Sequence, residues 1–139
     1  MTTALVIPNL DIRAAIEHKL VEMRAEKQGT IETIITCGGG MFAKTGLIKA
    51  GTELIGKIHL KEHINIMSFG DITVVTEEGV RRLTGFNIMA CKAGSRRYGS
   101  VHEDTLWTTI IQTDETDLAK VEEMFFAKNY EELENSHVC

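Results

Sequence analysis

The sequence predicts a mainly β protein: one small barrel or sandwich at positions 41–113, with an amphipathic helix before it and another after it. Three observations predict this. Glycine-containing turn signals recur at short intervals from Gly46 to Gly99, the runs between them are rich in β-branched and apolar residues, and helical periodicity appears only towards the two ends. A chain of 139 residues is the size of one domain with one core, and its 43% hydrophobic and 25% charged residues are a globular composition.

The first element is a helix. Asn9 can cap it, Ile12, Ile16, Leu20 and Met23 recur at helical spacing, and Lys27-Gln28-Gly29 gives the stop. Its other positions are mostly charged, so its apolar stripe needs a partner, either the barrel or another protein. Ile31–Thr36 is β-branched, and Gly38-Gly39-Gly40 then interrupts it. A phosphate cradle is excluded there, because the Gly-Lys-Ser/Thr run and the following helix are missing. The triple glycine reads instead as a flexible hinge that divides a helical arm (1–40) from the barrel. Strand-like runs follow at Leu54–Ile58, Ile64–Met67, Ile72–Thr76, Phe86–Cys91 and Thr105–Gln112, and Thr73–Val80 reads as a hairpin. Positions 114–139 return to helix: Asp114 or Thr116 can cap, and Leu118, Val121, Met124 and Phe125 form a stripe for core packing. After Tyr130 the chain is polar and is expected to fray.

Composition excludes several functions. A net charge of −5 disfavours general nucleic-acid binding, which rests on phosphate neutralisation. No apolar run approaches the roughly 20 residues of a membrane span, and the N-terminus lacks the basic flank and apolar core of a secretion signal. Cys37, Cys91 and Cys139 are odd in number and without metal-type spacing, which points to free thiols in a cytoplasmic setting, with Cys91 a small core residue. The basic residues at Arg81-Arg82 and Lys92–Arg97 read as solvated surface, as does the acidic stretch Asp114–Glu134.

Two stretches resemble the paired motifs of the cupin superfamily. In Gly51–Gly70 the spacing of that pattern is kept at every step, with Lys57 in the first histidine slot, His59 in the second and His63 in the glutamate slot. In Gly85–Arg97, Lys92 stands where the family has proline, Arg97 stands in the third histidine slot, and the interval is one residue longer than usual. The run Gly70–Val74 and the stretch Ala93–Thr109 are also similar to small cupin-like proteins of bacteriophage and prophage genomes. The resemblance implies a single cupin-type β-barrel or jelly roll that forms homo-oligomers through strands or terminal arms, in the host cytoplasm or the virion if phage-encoded.

Cupin enzymes hold Fe, Mn, Ni or Zn through three imidazoles and a carboxylate. By position this chain supplies only His59 and His63. Arg97 has no lone pair to offer, and Lys57 could ligate only as the neutral amine. A metal set could be completed by His102, with Glu103 as the carboxylate, and would support an oxygenase or isomerase. Alternatively, Lys57 and Arg97, with Glu103 at the same site, hold a small anionic ligand, or the two cations pair internally with Glu53, Glu62 or Glu103. The reading favoured by these departures is a non-catalytic structural or accessory module without a cofactor. No hydrolase nucleophile motif is present.

Overall fold

The computed structural model describes residues 31–127, together with Ala14, Ala15 and His18. Apart from those three positions, the helix expected over Asn9–Gly29 lies outside the described residues, as does the tail after Tyr130. In chain order the elements are β1 (Glu32–Gly38), β2 (Met41–Ile48), β3 (Glu53–Ile55), β4 (Ile58–His59), β5 (His63–Thr76), β6 (Gly79–Thr84), β7 (Asn87–Cys91), β8 (Tyr98–Gln112), α1 (Leu118–Phe125) and β9 (Phe126–Ala127). No described helix is long and apolar enough to cross a membrane.

Seven strands form one antiparallel sheet with the path β1-β2-β8-β5-β6, β3 pairing with β8 and β7 with β5; β4 and β9 form a separate pair. The sheet does not close: among the described residues β1 pairs only with β2. The expected full barrel is therefore an open one. The expected hinge is also replaced. Gly39 and Gly40 take φ of 60° and 75° and join β1 to β2 as a two-residue hairpin, with Gly38 opposite Met41. Two consecutive positive φ angles match the strand twist, which is why glycines stand there. The sheet thus begins at Glu32, ahead of the barrel boundary read from the sequence. The Thr73–Val80 hairpin is formed as predicted, with Thr76 opposite Gly79.

The runs Ile64–Met67 and Ile72–Thr76 belong to one 14-residue strand, β5, which bends across three register shifts between Met67 and Ile72. Gly70, at φ 130°, occupies the bend, where an added Cβ would come within 2.6 Å of the Thr105 Cα. The bend gives β5 and β8 two halves each. The halves His63–Met67 and Thr105–Gln112 join β1, β2 and β7, whereas Ile72–Thr76 and the start of β8 join β3 and β6.

Alternation then decides the faces. In the later half of β5, Ile72 and Val74 turn inward with Leu83 and Val101 into the main core cluster, while Thr73 and its neighbour His102 face out. In the earlier half the buried positions are His63, Asn65 and Met67, and Ile64 and Ile66 fall on the opposite face. Cross-strand register continues that outer face as two rows, Ile34–Thr45–Thr108–Ile66–Ile88 and Thr36–Ala43–Ile110–Ile64–Ala90.

Helix α1 packs Val121 and Phe125 against Phe42 and Ile111. Its N-cap is Asp117, one residue beyond Thr116, the later of the two positions considered from sequence, and Met124 is exposed, so the buried stripe is narrower than expected. Cys91 is a buried free thiol and Cys37 an exposed one.

Candidate functional site

The two halves of the sheet, α1 and β4 enclose a cavity of about 300 Å³. Its inner wall is apolar, with Ile48, Leu54, Ile72 and Val74, and its other wall carries Lys44, Lys57, His59, His63, Asn65, Arg97, Trp107 and Thr109. Lys57, His59, His63 and Arg97, from three separate stretches of chain, are therefore brought to one place. His102 and Glu103 are not. His102 Nε2 bonds Thr73 Oγ1 at 2.7 Å on the outside of the sheet, and Glu103 is exposed beside it.

Backbone contacts hold His59 in position. Strand β4 pairs with β9, placing His59 opposite Phe126. Gly94 N–H donates to the His59 carbonyl at 2.7 Å, and Leu60 N–H to the Phe125 carbonyl at 2.7 Å, so β4 is clamped between the 92–95 turn and the end of α1. The His59 and His63 rings stack with centroids 3.7 Å apart and planes 15° apart, and Phe126 meets His59 edge-on at 4.6 Å. His63 Nδ1 lies 3.2 Å from the Lys61 carbonyl and Nε2 lies 3.5 Å from Asn65 Nδ2. These partners assign the proton to Nδ1, since a carbonyl can only accept.

Burial is the main reason that the His59 pKa falls to about 3, with His63, Arg97 and Lys44 adding to it through their charge. Burial also lowers His63, and Arg97 lowers it further, against opposing effects of the Lys61 carbonyl and Glu62. Both imidazoles are thus neutral at pH 7.

Neutral imidazoles can ligate a metal, but these two do not fit one. A ring nitrogen offers its lone pair in the ring plane, about 2.1 Å from a bound zinc. Rings stacked 3.7 Å apart and nearly parallel do not direct two lone pairs to one point. Among the described residues no group of three His, Cys, Asp or Glu side chains could hold a metal ion. The first and third histidine slots carry Lys57 and Arg97, so the donor set does not suit a divalent cation.

The cations are held unequally. Glu122 on α1 accepts from Lys57 and lies 3.8 Å from Lys44, so one carboxylate serves two lysines. The internal partner of Lys57 is thus Glu122, a residue 65 positions away and not one of the three glutamates considered from sequence. Arg97 has no carboxylate within ion-pair distance among the described residues. Its Nη2 donates to Cys91 Sγ, its guanidinium lies 5.7 Å from the Trp107 ring centroid, and its Nη1 is buried without a hydrogen-bond partner. Asn65 ties this corner together: it donates to Cys91 Sγ at 3.1 Å and accepts from Thr109 Oγ1 at 2.9 Å.

Sequence reasoning missed Lys44, Asn65 and Glu122. A signal existed for Lys44, which is in phase with buried Phe42 and Ile48 and so points a charge inward. Asn65 sits inside an apolar run, and Glu122 is one of many acidic residues near its position, so neither stood out.

No protein-family model matches the sequence, and no curated protein is significantly similar to it. Solved structures are similar in fold. A conserved Klebsiella pneumoniae protein with a double-stranded β-helix domain superposes with a TM-score of 0.54 at 11% identity, over 66% of this chain and 84% of that one. A cupin superfamily protein from Desulfitobacterium hafniense gives 0.52 at 6% identity, over 64% and 83%. KdgF from Halomonas sp. gives 0.52 at 16%, over 61% and 82%. The chain therefore has a cupin-type, double-stranded β-helix fold, with its sheet left open.

Proposed function

We propose that the chain is a non-catalytic binding barrel for a small anionic ligand, a carboxylate or a phosphate ester with an apolar body. The observation that carries this is the charge of the cavity wall. Lys44, Lys57 and Arg97 line it, no aspartate or glutamate among the described residues does, and the neighbouring Glu122 already serves both lysines. An arginine held in a partly desolvated wall without a counter-charge is costly, and an incoming anion supplies the missing partner. The imidazoles are consistent with this: Arg97 depresses both, as a cationic field does. The apolar wall of Ile48, Leu54, Ile72 and Val74 accommodates the rest of the ligand. A volume of about 300 Å³ lies at the small end of ligand sites and selects a compact molecule.

Thermal unfolding against a panel of small carboxylates, phosphate esters and inorganic phosphate tests the proposal. A binding anion at 100 times its Kd stabilises by about 2.7 kcal/mol, and Arg97→Ala is expected to remove the shift. Equal shifts in both proteins, or no shift from any anion, would contradict it. So would near-stoichiometric Fe, Mn, Ni or Zn by elemental mass spectrometry that is lost in His59→Ala.

A further inference from the structure

We propose that Glu122 sets the charge class of the ligand, so that the cavity takes a compact monocarboxylate and disfavours a second anionic group. This rests on the anion reading above and narrows it. Lys44 and Lys57 line the cavity, whereas Glu122 is not among the lining residues. Both ammonium groups are turned to it: Lys57 donates to one carboxylate oxygen, and Lys44 lies 3.8 Å from the other. The lysine end of the cavity thus carries its own anion, and among the described residues the Arg97 end does not. A ligand with one carboxylate seats it at Arg97 and lays its apolar body against Ile48, Leu54, Ile72 and Val74. A second carboxylate at the far end meets lysines already held, with a like charge behind them. Glu122 is tethered to the same fold and competes at high effective concentration. Repulsion of the wrong ligand then adds to attraction of the right one.

The placement of Glu122 is built into the fold. Val121 and Phe125 anchor α1 on Phe42 and Ile111, which turns the adjacent Glu122 towards Lys44 on β2 and Lys57 just ahead of β4. At the end of α1 the Glu122 carbonyl accepts from the Phe126 N–H, and Phe126 pairs with His59 across β9 and β4. The junction that holds His59 in the wall therefore also holds Glu122 beside the lysines. Its side chain is 27% exposed, so solvent screens it less than a free surface charge. Glu123, the next residue, is exposed.

The single tryptophan of the chain, Trp107, lines the cavity 5.7 Å from the Arg97 guanidinium, so its fluorescence reports binding. Titrations at pH 7 and constant low ionic strength with butyrate and succinate, acids of equal chain length, give the ratio of their Kd values. The wild type is expected to bind butyrate more tightly. Glu122→Gln is expected to tighten succinate on the order of tenfold and butyrate by less than about threefold. Lys44→Met in that background is expected to reverse the succinate gain. Glu123→Gln, which removes the same charge from the solvent side of α1, is expected to leave both Kd values unchanged. A succinate-to-butyrate ratio that is the same in wild type and Glu122→Gln, with both acids still lost in Arg97→Ala, would overturn this proposal and leave the anion site standing. Weaker succinate binding in Glu122→Gln would also overturn it, because Glu122 would then be positioning the lysines for the ligand. Binding of neither acid to either protein would overturn this proposal and the anion reading together.

Discussion

The two halves of β5 are built in opposite senses. Towards its start, His63 and Asn65 turn in while Ile64 and Ile66 turn out; past the bend, Ile72 and Val74 turn in while Thr73 turns out. The paired strand β8 follows suit. Thr109 faces the cavity, with Ile110 outside it, whereas Val101 enters the core and His102 lies outside. The later half is the ordinary arrangement, an apolar interior under a polar surface. The earlier half inverts it, and inversion costs stability twice: polar groups are desolvated and apolar ones left in water. A fold retains such a conflict where something else resolves it. On the proposed function, an anion in the cavity is what resolves the inner side.

Separating the halves should have the largest effect. Gly70 is the joint between them, and Gly70→Ala forces a side chain into the Thr105 backbone at a φ of 130°. Overlap and backbone strain together predict a loss of about 3 kcal/mol or more, read from urea unfolding. An unchanged midpoint would mean that the halves are not joined rigidly.

The pH dependence of stability should come from the inverted half. An imidazole held below its unfolded value binds its proton less readily in the folded chain. The unfolded chain then takes up more protons between pH 6.5 and about 3, and stability falls as the pH drops through that window. The slope for one such group approaches about 1.4 kcal/mol per pH unit. His59→Gln is expected to flatten the profile measured from pH 7 to pH 4.

The smallest effect is expected on the ordinary half. Asp71 accepts from Arg82 at 2.7 and 2.9 Å, which lowers the Asp71 pKa, but the pair lies at the surface. Solvent screening leaves such pairs with little net worth, so Arg82→Ala should hardly change the unfolding midpoint.

Much of the fold was legible because turns and β-branched runs are local signals. The β5-β6 hairpin and the later half of β8 followed from them, and the motif spacing from Gly51 to Arg97 placed Lys57, His59, His63 and Arg97 together. What was not legible depends on tertiary contact. Period-two alternation shows that Ile64 and Asn65 face opposite ways, but only packing decides which of them is inside. The triple glycine read as a hinge because its role as a tight turn requires β1 to pair with β2. His102 and Glu103 lie close to the second motif in sequence, yet the strand directs them away from the cavity, as spacing alone does not reveal.

The central claim is that the inward polar side of the inverted half is an anion site centred on Arg97. The most direct measurement follows the His59 and His63 ring signals by NMR during titration with small carboxylates and inorganic phosphate. An anion seated against Arg97 cancels part of the charge that depresses both imidazoles, so both should titrate at higher pH when it is bound, and Arg97→Ala should abolish the anion's effect. If saturating anion leaves both titrations where they were, the cavity is not the site and the inversion has another cause.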